Sequence, residues 1–371
     1  MYTRRKFIEQ SAKVTAGVCL VSIPDLLYCS VSDEYQSARH YRTIDKKNIK
    51  CGLCFRGCVI SDGNRGFCRV RENRKGKLFS VVYGKPAALQ LDPIEKEPMY
   101  HIHPGSDILC TGTASCNFRC QFCHNWHLSQ STPEELNHRT KNLSPKDVVN
   151  QAKKLNAGLS FTYNEPTIFY EYMYDISELG KKAGLITIFH TNGGMQPEPM
   201  RQLLKNMAGV TVDLKGFTAD FYKDVSFANM KPVLETLKLI KKENVWLEIV
   251  NLIIPTLNDN FDNIKQMCTW IVENLGKDVP VHFNRFSPAY KMKHLNPTPI
   301  SSLERARKMA IEAGIKFVYI GNAPGHKHNS TYCPNCDERL IHRTHFSVHD
   351  VRIKKGKCEF CGYSIPGIWK S

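Results

Sequence analysis

Three cysteines, Cys116, Cys120 and Cys123, stand at C-x3-C-x2-C spacing just after the apolar run from Ile108 to Cys110. Three thiolates can hold three irons of a four-iron, four-sulfur cluster, which leaves the fourth iron without a protein ligand. An iron with an open position can bind a chelating substrate directly. The alternatives are a trio of buried apolar cysteines or half of a zinc site, but structural zinc needs four closed ligands and no fourth cysteine follows nearby. The spacing therefore predicts an iron–sulfur site with an open coordination position.

A second set of cysteines precedes this triplet. Cys51, Cys54, Cys58 and Cys68 follow a C-x2-C-x3-C-x9-C pattern in a stretch rich in glycine and arginine. Four thiols in so short a segment are typical of one closed metal site, and the little apolar sequence between them should fold only around its metal. Zinc and a second iron–sulfur cluster both remain open, because ligand type alone does not separate them. The sequence predicts an N-terminal metal-binding knob over residues 46–78.

The C-terminal tail carries a third set. Cys333, Cys336, Cys358 and Cys361 form two C-x2-C pairs separated by 21 residues. This is close to zinc-ribbon spacing, in which two knuckles at the ends of a β-hairpin fold around the metal. Zinc is the expected metal, with iron or an auxiliary cluster as the alternative. We expect a zinc-ribbon-like module over residues 326–371, which could bind nucleic acid, cap the main domain or dock a protein partner.

Between these ends, residues 79–325 alternate short β-rich apolar runs with helical patterns, which indicates a parallel sheet with crossover helices. Residues Leu78–Leu89 alternate loosely and predict a hairpin that leads into this domain. Ser144 predicts one helix start, and Ser302 predicts another whose helix ends at Gly314. Six or seven such units predict an α/β fold, a full or partial (βα) barrel of the triosephosphate-isomerase type. The predicted strands are Ile108–Cys110, Leu159–Tyr163, Leu185–His190, Val210–Asp213, Val245–Leu252, Val279–Phe283 and Phe317–Ile320.

Polar or glycine-rich loops follow all of these strands, and such barrels carry their chemistry at the carboxyl ends of the strands. Each residue has a simpler explanation by itself. Glu165 could be a carboxylate at a helix start, Asn192 could belong to a plain turn, and Asp213 with Lys215 could form a surface ion pair. Their common position at one rim favours a ligand pocket instead. The candidate pocket residues are Tyr163, Asn164, Glu165, Thr191, Asn192, Asp213, Lys215 and Asn251.

The stretch CNFRCQFC, with Phe122 directly before the last cysteine, resembles the signature of the radical S-adenosylmethionine (radical SAM) superfamily. The resemblance implies a four-iron, four-sulfur cluster on the triplet, S-adenosylmethionine as its chelating cofactor, and cofactor contacts from Phe122 and the rim residues. By position, Tyr163-Asn164-Glu165 would bind the amino group of the cofactor, where the usual glycine pair before the glutamate is absent. Reductive cleavage of the cofactor would give a 5'-deoxyadenosyl radical that abstracts hydrogen from a substrate. A low-potential donor would supply the electron, and no catalytic acid or base is implied.

Other motifs narrow this resemblance. Thr191-Asn192-Gly193 and Asp213-Leu214-Lys215 look like motifs of pyruvate formate-lyase activating enzymes, which suggests a protein substrate by analogy. The combination CGLCFRGC, DPIEKEPMYHIHPG, SFTYNEPT, HTNGG and TYCPNC looks like the radical SAM member of the AmmeMemoRadiSam system. The name of that family implies Memo-like and Ammecr1-like proteins as partners, and it leaves the reaction and substrate open.

The first 30 residues resemble an export signal. Thr3-Arg4-Arg5-Lys6-Phe7-Ile8 precedes an apolar segment, Val14 to Ile23, which is too short to span a bilayer. This looks like a twin-arginine signal, and a basic amphipathic first helix is the alternative. Export conflicts with chemistry that needs S-adenosylmethionine and low-potential electrons, both supplied in the cytoplasm, so the localisation stays open.

Composition limits the remaining function classes. The chain has 371 residues, 42% of them hydrophobic, 15 cysteines and a formal net charge of +16. A disulfide scaffold does not fit, because that pattern belongs to short secreted domains. The basic excess lies in the cysteine-rich ends, where Lys and Arg can balance thiolate sites, so nucleic-acid binding is the weaker interpretation. Two hypotheses result: a radical SAM enzyme, or a zinc and iron–sulfur interaction or nucleic-acid-binding protein without turnover.

Overall fold

The computed structural model describes residues 35–370, and the predicted twin-arginine segment lies outside them. The first strands are β1 (Gln36–Ser37), β2 (Tyr41–Thr43), β3 (Asn48–Cys51), β4 (Val59–Ser61), β5 (Arg71–Arg74) and β6 (Lys77–Ser80). They form two antiparallel sheets with the orders β1-β6-β5 and β2-β3-β4. Leu78 on β6 pairs with β5, whereas Leu89 pairs with Thr111 in a different sheet, so the predicted Leu78–Leu89 hairpin is wrong. Loose alternation predicts extended chain but does not determine which strand is its partner.

The main sheet is a partial barrel of eight strands. They are β7 (Ala88–Pro93), β8 (Asp107–Gly112), β9 (Gly158–Phe161), β10 (Thr187–Thr191), β11 (Gly209–Asp213), β12 (Trp246–Ile253), β13 (Val281–Arg285) and β14 (Val318–Gly321). β7 pairs antiparallel with β8, and β8 to β14 are joined in chain order by parallel ladders. All seven predicted strands are present, which confirms the predicted fold. Within residues 35–370 no ladder joins β14 back to β7, so the barrel is open on that side.

Helices connect the parallel strands on the outside. They are α1 (Trp126–Ser129), α2 (Pro145–Lys154), α3 (Tyr170–Lys182), α4 (Pro197–Leu204), α5 (Met230–Lys242), α6 (Phe261–Leu275) and α7 (Ile300–Glu312). Ser144 caps α2 as predicted, and its side chain and that of Asp147 bond reciprocally to each other's backbone N–H. The predicted cap at Ser302 is wrong, because α7 already begins after Pro299 and Ser302 lies in its first turn. The same helix ends before Gly314, whose φ of +102° only glycine adopts readily.

Short turns of 3₁₀ helix occupy Ile94–Lys96, Asn137–Arg139, Pro166–Phe169 and Lys327–Asn329, and a π-helical turn occupies Phe221–Val225. Each crossover helix buries an apolar face in one core shared with the sheet; its fully buried members include Val148, Met173, Leu203, Leu237, Ile271 and Leu303. Burial of one such side chain stabilises the fold by about 1.5–3 kcal/mol. In the described part of the chain, no helix combines the length and apolar character needed to cross a membrane.

The segment from Ile94 to Ile102 fills the lower part of the barrel. The backbone N–H groups of Tyr100 and His101 both donate to Glu248 Oε1 at 2.8 Å, and Glu248 projects inward from β12. Its other oxygen lies 2.7 Å from His282 Nε2 on the next strand. The buried carboxylate is thus fully engaged, and the segment forms the floor beneath the barrel mouth.

The C-terminal residues form two small sheets from β15 (Thr331–Tyr332), β16 (Arg339–Thr344), β17 (Ser347–Val351), β18 (Ile353–Lys354) and β19 (Lys357–Cys358). Arg343 on β16 is fully buried and joins these sheets to the floor segment. Its guanidinium donates to Glu95 at 3.4 Å, to Thr331 Oγ1 at 2.8 Å and to the carbonyl of Tyr100 at 2.8 Å. The boundaries of three separate modules at residues 78 and 325 stay predictions.

Candidate active site

A cavity of about 1500 Å³, counted with its open mouth, lies at the carboxyl ends of the parallel strands. The cysteine triplet lines one wall of it. Eight of the nine predicted cofactor-contact residues also line it: Phe122, Tyr163, Asn164, Glu165, Thr191, Asn192, Asp213 and Lys215. Predicted residues from four separate strand ends therefore meet at one site, as the barrel topology requires.

Asn251 is the exception. Its neighbours Val250 and Leu252 line the cavity, and because side chains alternate along a strand, Asn251 points to the other face of the sheet. There it is buried, and its side-chain amide donates to the carbonyl of Leu214 at 2.7 Å. The geometry does not support the predicted cofactor contact by Asn251.

The three triplet cysteines sit in the loop after β8. Cys116 and Cys120 are buried and Cys123 is half-buried, with Cys123 Sγ 3.1 Å from Ser129 Oγ. The backbone N–H of Phe118 donates to Cys116 Sγ at 3.3 Å. Burial raises the pKa of Cys120 to about 11, against the opposing influence of nearby Lys215. Metal binding must then release protons, because thiolates are the ligands.

Asn164 holds this loop in place. Its carbonyl oxygen accepts from the Thr113 N–H at 3.1 Å, and its amide donates to Thr113 Oγ1 at 3.2 Å and to the Ser115 carbonyl at 2.9 Å. Next to it, Tyr163 has a left-handed backbone with φ of +70° and donates its hydroxyl to Asp92 Oδ2 at 2.5 Å. Both side chains line the cavity, and their hydrogen bonds hold the loop after β8 and the loop after β9 in place.

Glu165 is buried and surrounded by protein donors. Oε1 accepts from the Thr167 N–H at 3.0 Å, from Thr167 Oγ1 at 2.5 Å and from Thr191 Oγ1 at 2.7 Å. Oε2 accepts from the Asn192 N–H at 2.7 Å. The carboxylate caps the short helix Pro166–Phe169, as the simpler interpretation expected, and it also ties the loop after β9 to the loop after β10. Three of the four donors crowd Oε1, and Oε2 accepts from one donor only.

Asn192 connects the hydrogen-bonded carboxylate of Glu165 to the cysteine triplet. Its amide donates to Asn117 Oδ1 at 2.8 Å and lies 3.8 Å from Cys116 Sγ, and its carbonyl accepts from the Gly194 N–H at 2.9 Å. Gly193 has φ of +73°, and a Cβ there would lie 2.9 Å from Val233 Cγ1. The turn expected at Asn192 and Gly193 is therefore present, and it places Asn192 next to Cys116.

A charged cluster lines the same cavity at the carboxyl ends of β10 and β11. Lys215 Nζ lies 2.7 Å from Asp213 Oδ2, and His190 Nε2 lies 2.9 Å from Asp213 Oδ1 and its Nδ1 3.5 Å from Glu97 Oε2. Burial by itself would lower the pKa of His190, but the carboxylates of Asp213 and Glu97 raise it to about 10. The ring is therefore cationic at neutral pH, and two cations flank one inward carboxylate at the mouth.

Phe122 completes the wall next to the triplet. Its ring is buried, tilted against that of Phe221, and 5.8 Å from Lys215 Nζ. Among the described residues, the triplet sulfurs do not gather within 4.8 Å of one another as ligands of a single ion would. Three thiols that line one cavity, with a hydrogen-bond donor on the first, could hold three irons of a polynuclear cluster.

The C-terminal cysteines have a different geometry. Their four sulfurs all lie within 4.8 Å of one another, with 3.6 Å between Cys333 and Cys361 and 3.8 Å between Cys336 and Cys358. Tetrahedral zinc with Zn–S bonds of about 2.3 Å places its sulfurs about 3.8 Å apart. A hydrogen bond from Asn335 lowers the pKa of Cys361 to about 6. The group could hold one metal ion, as the spacing predicted.

The N-terminal cysteines, Cys51, Cys54, Cys58 and Cys68, line a smaller cavity behind the triplet loop. All four are free thiols, as are all the cysteines of the described chain. Burial raises the pKa of Cys54 to about 12 and that of Cys68 to about 11. The structure brings the predicted ligand set together around this cavity.

Several lining residues were missed by sequence reasoning. His190 belongs to the HTNGG motif but was not among the predicted site residues. Its position at the end of a strand, two residues before Asn192, was the signal that its side chain points inward. His345 and Phe346 reach the mouth from the tip of the C-terminal β16–β17 hairpin. No sequence pattern predicts that contact, because it depends on how the C-terminal sheets pack against the barrel.

The chain is similar to known proteins in sequence and in structure. The family model described as the Radical SAM superfamily matches residues 111–271, which include the triplet and the next four rim loops. An uncharacterized protein of Methanocaldococcus jannaschii is 43% identical over 333 residues, 89% of this chain and 98% of that protein. The pyruvate formate-lyase-activating enzyme of Clostridium pasteurianum is 24% identical over 217 residues, 54% of this chain and 87% of the enzyme. A solved radical SAM methyltransferase from Sphaerobacter thermophilus aligns with a TM-score of 0.46 at 13% identity over 78% of each chain.

Proposed function

Because the chain belongs to the radical SAM superfamily, we propose that it is an enzyme that cleaves S-adenosylmethionine reductively at the Cys116, Cys120 and Cys123 site. A four-iron, four-sulfur cluster there would supply the electron that yields a 5'-deoxyadenosyl radical for hydrogen abstraction. The observation that carries the proposal is the shared cavity: three thiols form one wall of it, and the rim residues form the rest. The alternative, an interaction or nucleic-acid-binding protein without turnover, is not favoured.

The residues of the chain have distinct parts in this proposal. The three cysteines hold the cluster, while Asn192 and Asn164 hold the loop that carries them. Lys215 and the protonated His190 present positive charge to the cavity, where a carboxylate group of the cofactor or substrate would be stabilised. The buried rim around Phe122 limits water, which protects a reactive radical from side reactions.

The substrate class we favour is a protein, in an activase-like reaction. The relatives named as activating enzymes support this only distantly, at 24% identity for the enzyme from Clostridium pasteurianum. A second support is an exposed aromatic side chain beside the mouth: Trp126, 43% exposed, stacks on the half-buried Tyr290 with ring centroids 5.4 Å apart. Exposed aromatic residues are enriched where proteins bind each other. Memo-like and Ammecr1-like proteins and a low-potential electron donor are the proposed partners, and zinc is the proposed metal of the C-terminal group.

Electron paramagnetic resonance (EPR) tests the cluster assignment. The anaerobically reconstituted and reduced protein should show a cluster signal that changes when S-adenosylmethionine is added, because the cofactor occupies the open iron. The Cys120→Ala variant should lose that responsive signal. A responsive signal that persists in Cys120→Ala would overturn the assignment of the triplet.

The substrate class needs a separate test. Candidate partner proteins that co-purify with the native chain would be incubated with the reduced enzyme and S-adenosylmethionine. A glycyl-radical doublet on a partner supports the activase-like reaction. Consumption of the cofactor with hydrogen transfer from a small molecule, and no protein radical, would contradict it.

A further inference from the structure

The four N-terminal cysteines line one cavity, but their sulfurs are not gathered as the ligands of a single ion would be. Cys51, Cys54, Cys58 and Cys68 all line the same space. Within the described residues they do not form a group of sulfurs within 4.8 Å of one another, whereas the C-terminal cysteines do. Because zinc with bonds of about 2.3 Å needs sulfurs about 3.8 Å apart, the N-terminal set would have to contract around zinc. Iron and sulfide between the thiolates would fill the wider arrangement without that contraction.

Two residues that line the same cavity carry buried hydrogen-bond donors without a partner. Arg71 Nε and Asn117 Nδ2 are buried and have no partner in the structure, and both residues line the cavity with the cysteines. Arg71 is 1% exposed and Asn117 is fully buried. Unsatisfied buried donors are rare in folded proteins and call for an acceptor. The sulfides and thiolates of an iron–sulfur cluster are such acceptors, and N–H to sulfur bonds help to set cluster potential.

The charges around the cavity also suit a thiolate cluster. Arg71 donates to Glu171 at 3.1 Å through one terminal nitrogen and to the carbonyl of Arg39 through the other, so Nε is the one guanidinium nitrogen without a partner. Arg56 lines the cavity too, and its Nε donates to the Asn117 carbonyl at 2.6 Å. Two fixed guanidinium groups can offset the negative charge of four thiolates around a metal core.

The cavity adjoins the triplet site directly. Asn117, which lines the N-terminal cavity, is bonded covalently to Cys116, which lines the active-site cavity. The two regions are also hydrogen-bonded, because the Phe55 N–H donates to the Gly194 carbonyl at 3.0 Å, two residues from Asn192. A cluster in the N-terminal cavity would therefore lie next to the triplet, with a short bonded path between them.

We propose that the four N-terminal cysteines hold a second iron–sulfur cluster rather than zinc, and that it passes electrons to the triplet site. It would accept one electron from a low-potential protein donor, which is oxidised by one electron. It would return to its oxidised form when the same electron moves on to the triplet site along the Asn117–Cys116 connection. The electron-transfer role rests on the proposed function, but the metal assignment does not.

Metal analysis tests the assignment without any turnover. A variant with Cys116, Cys120 and Cys123 all changed to Ala would be purified anaerobically beside wild type and Cys268→Ala, a control that removes a buried cysteine of α6. The triplet variant should keep at least about two irons and as many sulfides per chain, together with an EPR signal on reduction. Wild type and the control should carry more iron than the triplet variant. Zinc without sulfide in the triplet variant would overturn the assignment.

A measurement on the wild type guards against misfolding of the variant. Two EPR signals are expected on reduction, one that shifts when S-adenosylmethionine is added and one that does not. A single signal that shifts completely would contradict a second cluster. If no cofactor cleavage occurs but the triplet variant retains its cluster, the proposed function fails while the metal assignment stands.

The electron-transfer role has its own test. Cys54→Ala combined with Cys58→Ala should keep the responsive triplet signal but lose the unresponsive one. With enzymatically reduced flavodoxin as the donor, this double variant should form 5'-deoxyadenosine at least tenfold more slowly than Cys268→Ala. Equal rates would overturn the electron-transfer role.

Discussion

Replacement of Glu165 by Gln tests whether this residue braces the site or contacts the cofactor. The carboxylate accepts four hydrogen bonds from Thr167, Thr191 and Asn192, all from protein groups. A glutamine has one oxygen, so its NH₂ group must face donors on one side. If the oxygen stays with the two threonines, the NH₂ meets the backbone N–H of Asn192, and both are left unpaired.

The magnitude follows from those contacts. The variant loses one charge-assisted hydrogen bond, about 1.5–3 kcal/mol, and leaves a buried donor unsatisfied, about 1–3 kcal/mol. Because the two costs overlap, we expect Glu165→Gln to lower the free energy of unfolding by about 2–4 kcal/mol. Asn192 should also shift away from Cys116, so the iron content of the reconstituted variant should fall.

Anaerobic urea denaturation of the metal-loaded protein measures this change. The matched control is Glu178→Gln, since Glu178 lies on the exposed face of α3 with only an exposed partner, Lys182, at 3.4 Å. The control should change stability by less than about 0.5 kcal/mol. If Glu165→Gln leaves stability and iron content at the control values while S-adenosylmethionine affinity falls, Glu165 is a cofactor contact and the bracing role is refuted.

Three further changes have defined outcomes. The charged His190 beside Asp213 stabilises the fold fully below the ordinary histidine pKa of 6.5, and this stabilisation is lost as the pH rises through about 10. Wild type should therefore lose more stability than His190→Gln between these two pH values. Denaturation at stepped pH measures the difference. Equal losses would contradict the ion pairing. Arg343→Met should cost about 3–5 kcal/mol because it leaves Glu95 buried and unpaired, and Glu95→Gln in the same chain should recover part of it. A cost below about 1 kcal/mol for the single change would be inconsistent with the buried pair. Cys361→Ser should reduce bound zinc by about one ion per chain, measured by mass spectrometry, and an unchanged zinc content would disprove the tetrahedral site.

The strands and the cysteine triplet were predictable because their signals are local. A buried parallel strand reads as a short apolar run, and its carboxyl end is followed by the loop that carries chemistry. Asn251 was misplaced because a shift of one residue along β12 reverses the face of a side chain, and the strand around it is largely buried on both faces. The N-terminal residue of α7 was misplaced because Pro299 and Ser302 both resemble start signals.

Other features depend on tertiary packing. Glu165 carries a helix-start signal and a pocket signal together, and only the positions of Thr191 and Asn192 show that it serves as a brace. The position of the floor segment from Ile94 to Ile102 depends on a residue far away in the sequence. Glu248 on β12 accepts hydrogen bonds from the backbone N–H groups of Tyr100 and His101. Ligand spacing along the chain also did not reveal how far apart the sulfurs of each cysteine set lie.

Formation of 5'-deoxyadenosine tests the central claim most directly. The protein would be reconstituted anaerobically with iron and sulfide, reduced, and supplied with S-adenosylmethionine, with the nucleoside measured by liquid chromatography and mass spectrometry. Wild type should form 5'-deoxyadenosine, and Cys120→Ala should form none, while Cys268→Ala should behave as wild type. Absence of the nucleoside from a wild-type protein that carries its cluster, or equal formation by Cys120→Ala, would contradict reductive cleavage at the cysteine triplet.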